Sequence, residues 1–470
     1  MTASPLSFDE LGSMETAAGR GQIHLELPHN VVLPPQPVLT RLAGGGSLVS
    51  IAFKMQSDVH PPLYFLTLRA WLDLFGDSDA ACRSLSTVFD LIAILLIFDI
   101  GRQLGSPAVG LWSAALRAFA QPQIVESQDA RPYTLAIALT LAAWAILIRI
   151  EKRPTAARSI LLALAILASA LTHYYAAGVF IAMLLYVALR FRGPALRQTL
   201  AAFSCATLAG ILLWLPGLLR QMRQPTFNGH WMYWFADSAP GHVTRTLARF
   251  AQLPLRYLAD PVTTSAWLLT GGAVLYVLPF LLFRRRPGLL LCGLWLVCAA
   301  AMPAAIDLFH QTSQIDAIKY TLLASPAVYL MLPMLLKSPH WIGIVALACA
   351  AVALPDAHHD SEDPWRAIAA DVNKIPPRQP LIIDGGSWGN WYGGMLFMGT
   401  QRYARQMPRA TLILDQPQLP HGLQRQWSHQ PLWLLAAPGC DVQTLLPAHH
   451  AVQIWHFVGC DLFQLAPRSD

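Results

Sequence analysis

A series of long apolar runs, separated by short connections rich in Arg and Lys, constrains this chain more than any other feature. Crossing a bilayer takes about 20 apolar residues. By that measure ten candidate spans can be drawn: 80–101, 107–124, 131–149, 159–173, 174–190, 197–219, 264–283, 288–305, 319–336 and 340–354. Residues 159–191 are one apolar stretch too long for a single span. It divides at Thr172-His173-Tyr174-Tyr175, where polar and interfacial residues cluster. Composition points the same way. The chain is 54% hydrophobic and 13% charged, against about 25% charged in an ordinary soluble chain. That argues against a soluble globular protein, a disordered chain and a nucleic-acid-coating surface. Seven cysteines without a CxxC or metal-type spacing indicate neither a zinc site nor a disulfide scaffold.

The basic residues orient the spans. Arg102, then Arg149, Lys152, Arg153 and Arg158, then Arg190, Arg192 and Arg197, then Arg284–Arg286, then Lys337 alternate onto one side, expected to be cytoplasmic. The opposite, extracytoplasmic side then holds both termini, residues 124–131, the turn at 172–175, the long loop 220–263 and the loop 306–318. Arg131, Arg220, Arg223 and Lys319 also lie there, on the side the rule disfavours for cations. Three regions are expected: residues 1–79 as a first outer loop, 80–355 as the membrane domain and 356–470 as a small extracytoplasmic α/β domain. Residues 61–75 are amphipathic with Pro at the start and read as an interfacial helix. In the last region Trp365, Ile368, Ala369, Val372 and Ile375 share one helix face. Residues 381–384, 411–414, 432–435 and the alternating stretch near 452–465 read as strands.

Four polar groups fall on the expected outer side: Asp9-Glu10; Asp58-Val59-His60-Pro61-Pro62-Leu63-Tyr64; Glu126-Ser127-Gln128-Asp129-Ala130-Arg131-Pro132-Tyr133; and Lys319-Tyr320 ahead of Pro326. A carboxylate can take a proton from an acceptor hydroxyl, and cations can stabilise a departing phosphate. Plainer readings stand beside these. Asp9-Glu10 can be a solvated segment, His60-Pro61-Pro62 a helix start, Asp129 and Arg131 a surface ion pair, and Lys319 an interfacial lysine. His230, Trp231, Tyr233 and Trp234 read as an aromatic belt or a sugar-stacking surface. Gly385-Gly386-Ser387-Trp388-Gly389 follows a strand without matching a dinucleotide fingerprint.

Taken in order, Phe8-Asp9-Glu10, His60-Pro61-Pro62-Leu63-Tyr64, the helix start at 76–86, Ser127-Gln128-Asp129-Ala130-Arg131-Pro132-Tyr133 and Lys319-Tyr320 with Pro326 resemble the GT-C superfamily of integral membrane glycosyltransferases. Within it they resemble the family 39 type, which includes protein O-mannosyltransferases and lipid A aminoarabinose transferases. The resemblance spans about residues 8–355. It implies a polytopic α-helical GT-C-like protein in a bacterial inner or plasma membrane. Such an enzyme would move a sugar from a polyprenyl-phosphate donor to a glycan, lipid or protein acceptor, with inversion. No nucleic acid is implied as a partner. Asp9 matches the catalytic carboxylate, the general base, and Glu10 is its neighbour. His60 and Lys319, with Tyr320, match positions near the donor phosphate. Asp129 and Arg131 match the second outer loop that shapes the site. No cofactor is indicated, and a divalent metal is left open.

The resemblance also implies a spanning helix ahead of Asp9. Eight residues precede Asp9, so a chain without that helix is expected. The alternatives are a lipid-linked sugar transporter or flippase, and an inactive truncated homologue. A transporter needs ionisable groups along a path through the membrane, for which Asp90, Asp99 and Arg117 are the candidates. Two geometric expectations complete the reading. Asp90 and Arg117 reach similar depth in adjacent spans and should face each other. Cys440 and Cys460, the cysteines beyond residue 355, should form a disulfide.

Overall fold

The computed structural model describes residues 4–55, 58–223, 239–260, 266–284, 286, 288–336, 339–354, 363–415 and 418–468. They form two compact units. One comprises residues 1–54, 68–82 and 360–470, the other 55–67 and 83–359. Composition divides the chain into three regions; by contact, most of the first shares a unit with the last, while residues 55–67 join the helices.

The chain opens with α1 (Phe8–Ala17), α2 (Ile23–Glu26), α3 (Leu48–Lys54) and α4 (Leu63–Phe75). The long helices follow: α5 (Asp79–Leu104), α6 (Pro107–Phe119), α7 (Gln121–Ser127), α8 (Tyr133–Lys152), α9 (Ala156–Ala170), α10 (Ala176–Arg190), α11 (Gly193–Gln221), α12 (Ala239–Arg256), α13 (Ala266–Leu282), α14 (Gly288–His310), α15 (Ser325–Leu336) and α16 (Pro339–Ala353). Among the described residues, five helical segments are long and apolar enough to cross a bilayer: 79–104, 133–152, 193–221, 288–310 and 318–336. Four more apolar helices are shorter, at 156–170, 176–190, 267–282 and 340–353. At about 1.5 Å per residue, the 15 residues of α9 rise less than the roughly 30 Å of a hydrocarbon core. Among the described residues, nine of the ten expected spans are thus present as apolar helices, four of them corrected to shorter lengths.

The expected span 107–124 is also corrected. It breaks at Ala120, whose backbone is extended, and resumes as α7. Pro122 lacks the amide that would continue the ladder. The freed Gln121 amide donates to Leu258 O at 3.3 Å. The long loop expected at 220–263 contains α12, held by Arg245 and Arg249 on Asp316 at 2.8 and 2.9 Å. Residues 318–324 form a 3₁₀ turn ahead of α15 rather than the start of an α-helix. Trp295 Nε1 and Tyr257 Oη anchor it, donating to the carbonyls of Leu323 and Thr321 at 2.8 and 3.0 Å.

Asp90 and Arg117 pair as expected, across α5 and α6, and Arg117 also donates to Gln123 Oε1 at 2.6 Å. Gly101 and Gly110 let these helices approach, since a Cβ on Gly110 would stand 2.4 Å from Phe98 O. Arg149 and Arg102 both pair with Asp99, and Arg190 pairs with Glu151. Arg102, Arg149 and Arg190, three of the basic residues used to orient the spans, thus gather at one end of the helices. Tyr133 begins α8 at the other end, 16 residues before Arg149, or about 24 Å.

The other unit closes with α17 (Trp365–Val372), β1 (Leu381–Asp384), α18 (Asn390–Tyr403), β2 (Thr411–Leu414), α19 (His421–Trp427), β3 (Leu432–Ala436), α20 (Val442–Leu445), β4 (His449–Phe457) and β5 (Cys460–Pro467). The strand order is β2-β1-β3-β5-β4, with β1 parallel to β2 and β3, and β5 antiparallel to β3 and β4. Trp365, Ile368, Ala369, Val372 and Ile375 are buried together, as their spacing predicts. Residues 30–33 cover the free edge of β2: Asn30 and Leu33 amides donate to Ile413 and Thr411 carbonyls, each at 2.8 Å. Asp79 receives Arg366 at 2.8 Å and Arg402 at 2.7 Å. Cys440 and Cys460 are free thiols, which corrects the expected disulfide. Cys440 turns instead toward β1, its thiol donating to Asp384 Oδ2 at 3.6 Å.

Candidate active site

The end of the helices away from the basic residues carries a polar and aromatic cluster. Its floor is the α9–α10 turn, where the Leu171 carbonyl accepts the Leu63 amide at 2.9 Å and ties the start of α4 in place. Gln221, ending α11, donates to the carbonyls of Met55 and His60 at 2.8 and 2.9 Å, and accepts from Tyr174 Oη at 2.5 Å. These bonds fix the His60-Pro61-Pro62 segment. Pro61 and Pro62 have no amides of their own to pair.

His60 is buried, and its backbone amide and Nδ1 both donate to Asp58 Oδ1, at 2.9 and 3.0 Å. Burial would raise the Asp58 carboxyl. The hydrogen bonds from His60, and the charges of His60 and Arg131, outweigh it and hold the group below the usual carboxylate range. Asp58 therefore stays ionised and fixes the ring of His60.

The His60 ring meets that of His173, centroids 5.4 Å apart. His173 lies 5.3 Å from Tyr133 and 5.0 Å from Tyr175, and Tyr320 closes the group at 6.3 and 6.2 Å from those tyrosines. Lys319 Nζ stands 5.7 Å from the Tyr320 ring centroid. Burial, with the charges of His60 and Arg131, pushes the His173 imidazole well below its usual range, so it is neutral. Its Nε2 and the Tyr133 hydroxyl are buried without hydrogen-bond partners among the described residues. Each such group costs about 1–3 kcal/mol.

The structure thus brings His60, Arg131, Lys319 and Tyr320 into one neighbourhood. The Asp129 carbonyl accepts the Arg131 amide at 2.8 Å. Asp9 and Glu10 belong to the other unit, in the first turn of α1. Glu10 is buried and completes a capping box: its carboxylate accepts the Ser7 amide at 2.7 Å while Ser7 Oγ accepts the Glu10 amide at 3.3 Å. That is a structural duty, readable in the spacing Ser7-x-x-Glu10. Sequence reasoning used Thr172-His173-Tyr174-Tyr175 only to divide two helices. A polar break inside an apolar stretch was the available signal for His173. His230, Trp231, Tyr233 and Trp234 lie outside the described residues.

The unit containing the sheet has a cleft of about 360 Å³ at the carboxyl ends of β1–β3, lined by Asp384, Gly385, Gly389, Asn390, Asp415 and Asp441 among others. Gly385 is required there, since a Cβ would stand 2.1 Å from Gly389 O. Among the described residues, no three His, Cys, Asp or Glu side chains are grouped to hold a metal ion.

Apolar helices of spanning length, short basic connections at one end and a cation-bearing aromatic cluster at the other define an integral membrane protein. Its fold is that of the GT-C membrane glycosyltransferases, of the protein mannosyltransferase and aminoarabinose transferase type. A family model described as dolichyl-phosphate-mannose-protein mannosyltransferase matches residues 59–218. The crystal structure of ArnT from Cupriavidus metallidurans bound to undecaprenyl phosphate is similar with a TM-score of 0.57 and 12% identity, over 98% of this chain and 94% of that one. The Archaeoglobus fulgidus oligosaccharyltransferase in complex with Zn and sulfate gives 0.52 and 12% identity, over 99% of this chain and 70% of that one. No curated protein matches the sequence. Identities this low speak for the fold; activity has to be argued from the residues.

Proposed function

We propose that this protein transfers a sugar from a polyprenyl-phosphate donor to a hydroxyl acceptor at the extracytoplasmic face of the membrane, with inversion. The observation that carries the reading is the fold likeness, over 98% of the chain, to an ArnT whose structure holds undecaprenyl phosphate. In the proposed reaction the bond from the anomeric carbon to the phosphate oxygen breaks, and its electron pair stays on the phosphate. The acceptor oxygen forms the new bond from the opposite face, and its proton passes to Asp9. Lys319, Arg131 and His60 offset the charge left on the phosphate. The cluster that contains these groups supports that assignment by its chemistry.

One observation bears on the transporter alternative. Asp90, Asp99 and Arg117 are all taken up in ion pairs within the membrane unit. Each therefore has a structural partner, so these three do not single out a transport path.

The test uses the full-length protein in lipid nanodiscs, supplied with a panel of polyprenyl-phosphate sugars and candidate acceptors. Asp9→Asn keeps the size and removes the base. It is expected to abolish transfer while leaving undecaprenyl phosphate bound as in the unaltered protein. Lys319→Ala is expected to weaken both binding and turnover. Full transfer by Asp9→Asn would refute the assignment of the base. Absence of any polyprenyl-phosphate binding would refute the reading as a whole.

A further inference from the structure

His173 is 5% exposed and Tyr133 3% exposed, yet among the described residues neither His173 Nε2 nor the Tyr133 hydroxyl has a hydrogen-bond partner. Buried polar groups are nearly always satisfied, so an orphaned pair on two rings 5.3 Å apart calls for an explanation. The tautomer of His173 follows from its surroundings. The Tyr175 amide donates to Nδ1 at 3.2 Å, so Nδ1 is an acceptor and the ring proton sits on Nε2. Both orphans are therefore donors. Arg131 acts on both residues, Lys319 on Tyr133 and His60 on His173, with the Glu126 carboxylate opposing the cations at Tyr133. Uncharged donors add hydrogen bonds to an anion there without adding a mutually repelling charge.

We propose that His173 Nε2–H and Tyr133 Oη–H bind the phosphate oxygens of the lipid donor. The inference rests on the sugar-transfer reading above and deepens it. The glycosyl phosphate carries one negative charge, and the departing lipid phosphate gains another when the anomeric bond breaks. Hydrogen bonds to that oxygen strengthen as the charge develops, so the pair favours the transition state and the product over the bound donor. No proton need be transferred: a neutral imidazole donates throughout.

The test measures binding of undecaprenyl phosphate to the full-length protein in nanodiscs by native mass spectrometry, with undecaprenol and inorganic phosphate as further probes. Tyr133→Phe removes the hydroxyl alone. His173→Phe removes the donor, and His173→Gln keeps an N–H near the Nε2 position. Losing one donor to a phosphate should weaken binding roughly tenfold, since a hydrogen bond to a charged group is of that strength. Tyr133→Phe and His173→Phe should show this loss, and His173→Gln should recover most of it. Undecaprenol binding should be unchanged, and inorganic phosphate should compete. In ¹⁵N-histidine spectra His173 should show the Nε2–H tautomer, and that resonance should move when undecaprenyl phosphate is added. If the unaltered protein and both phenylalanine variants bind equally tightly, or the resonance does not move, the inference is overturned and the transfer reading stands. Equal weakening toward undecaprenol would overturn it too, by removing the phosphate from the recognition. If His173→Phe fails to fold, Tyr133→Phe and the resonance decide. If the unaltered protein binds no undecaprenyl phosphate, the transfer reading itself falls.

Discussion

At the scale of single residues, Asp58 shows how burial and hydrogen bonding compete. Its carboxyl is held below the usual range because His60 and Arg131 outweigh desolvation. A depressed folded pKa stabilises the fold above the unfolded value of about 3.9, and the contribution is lost as pH falls through the folded value. Asp58→Asn should therefore lower the unfolding temperature by a constant amount between pH 5 and 8, equivalent to about 1.5–3 kcal/mol. The gap should close only below roughly pH 4; thermal unfolding across pH in one detergent measures it. Cys440 offers a second case. Burial and the Asp384 charge push its thiol up to about 12, so little thiolate is present for oxidation. Cys440 should react slowly with maleimide in the folded protein and quickly once unfolded, and the chain should migrate alike with and without reductant. Legibility varied at this scale. His60, Arg131 and Tyr320 were visible as members of spaced motifs. His173 was not singled out, because the feature that marks it, an orphaned Nε2, exists only once its neighbours are in place.

At the scale of elements, α5 and α6 carry the clearest test. Removing one partner of a buried pair strands the other charge, at a cost of about 3–5 kcal/mol, whereas replacing both by apolar residues is often neutral. Asp90→Ala or Arg117→Ala alone should lower the unfolding temperature sharply, and the double change Asp90→Leu with Arg117→Met should restore most of it. Depth along two adjacent spans was enough to anticipate this pair, since helical rise is regular. The break at Ala120 was less legible. Pro122 suits the first turn of a helix as well as it disrupts an interior one, and the Leu258 carbonyl that receives the freed Gln121 amide is remote in sequence. Residues 30–33 against β2 show the same limit. An isolated backbone pairing leaves no periodic signal, while α17 and the strands at 381–384, 411–414 and 432–436 each carry one.

At the scale of the whole molecule, the gathering of Arg102, Arg149 and Arg190 at one end of the helices makes orientation testable. A cysteine placed at Arg153 should be labelled by an impermeant reagent only after the cell membrane is opened. One placed at the exposed Arg425 should be labelled in intact cells. Labelling of Arg153→Cys from outside would reverse the orientation and move the proposed chemistry to the other face. The sequence by itself determined that this is a polytopic membrane protein with an α/β region following, and where most helices lie. Hydrophobic transfer is nearly additive along a chain, so run length and charge placement can be read locally. Only the tertiary structure decided that the first residues join the last ones in a single unit, and that residues 60, 131, 133, 173 and 320 share one neighbourhood. Which side chains meet, which donors lose water without gaining a partner and which charges act on them depend on packing between segments far apart in the chain, and no local pattern encodes those distances.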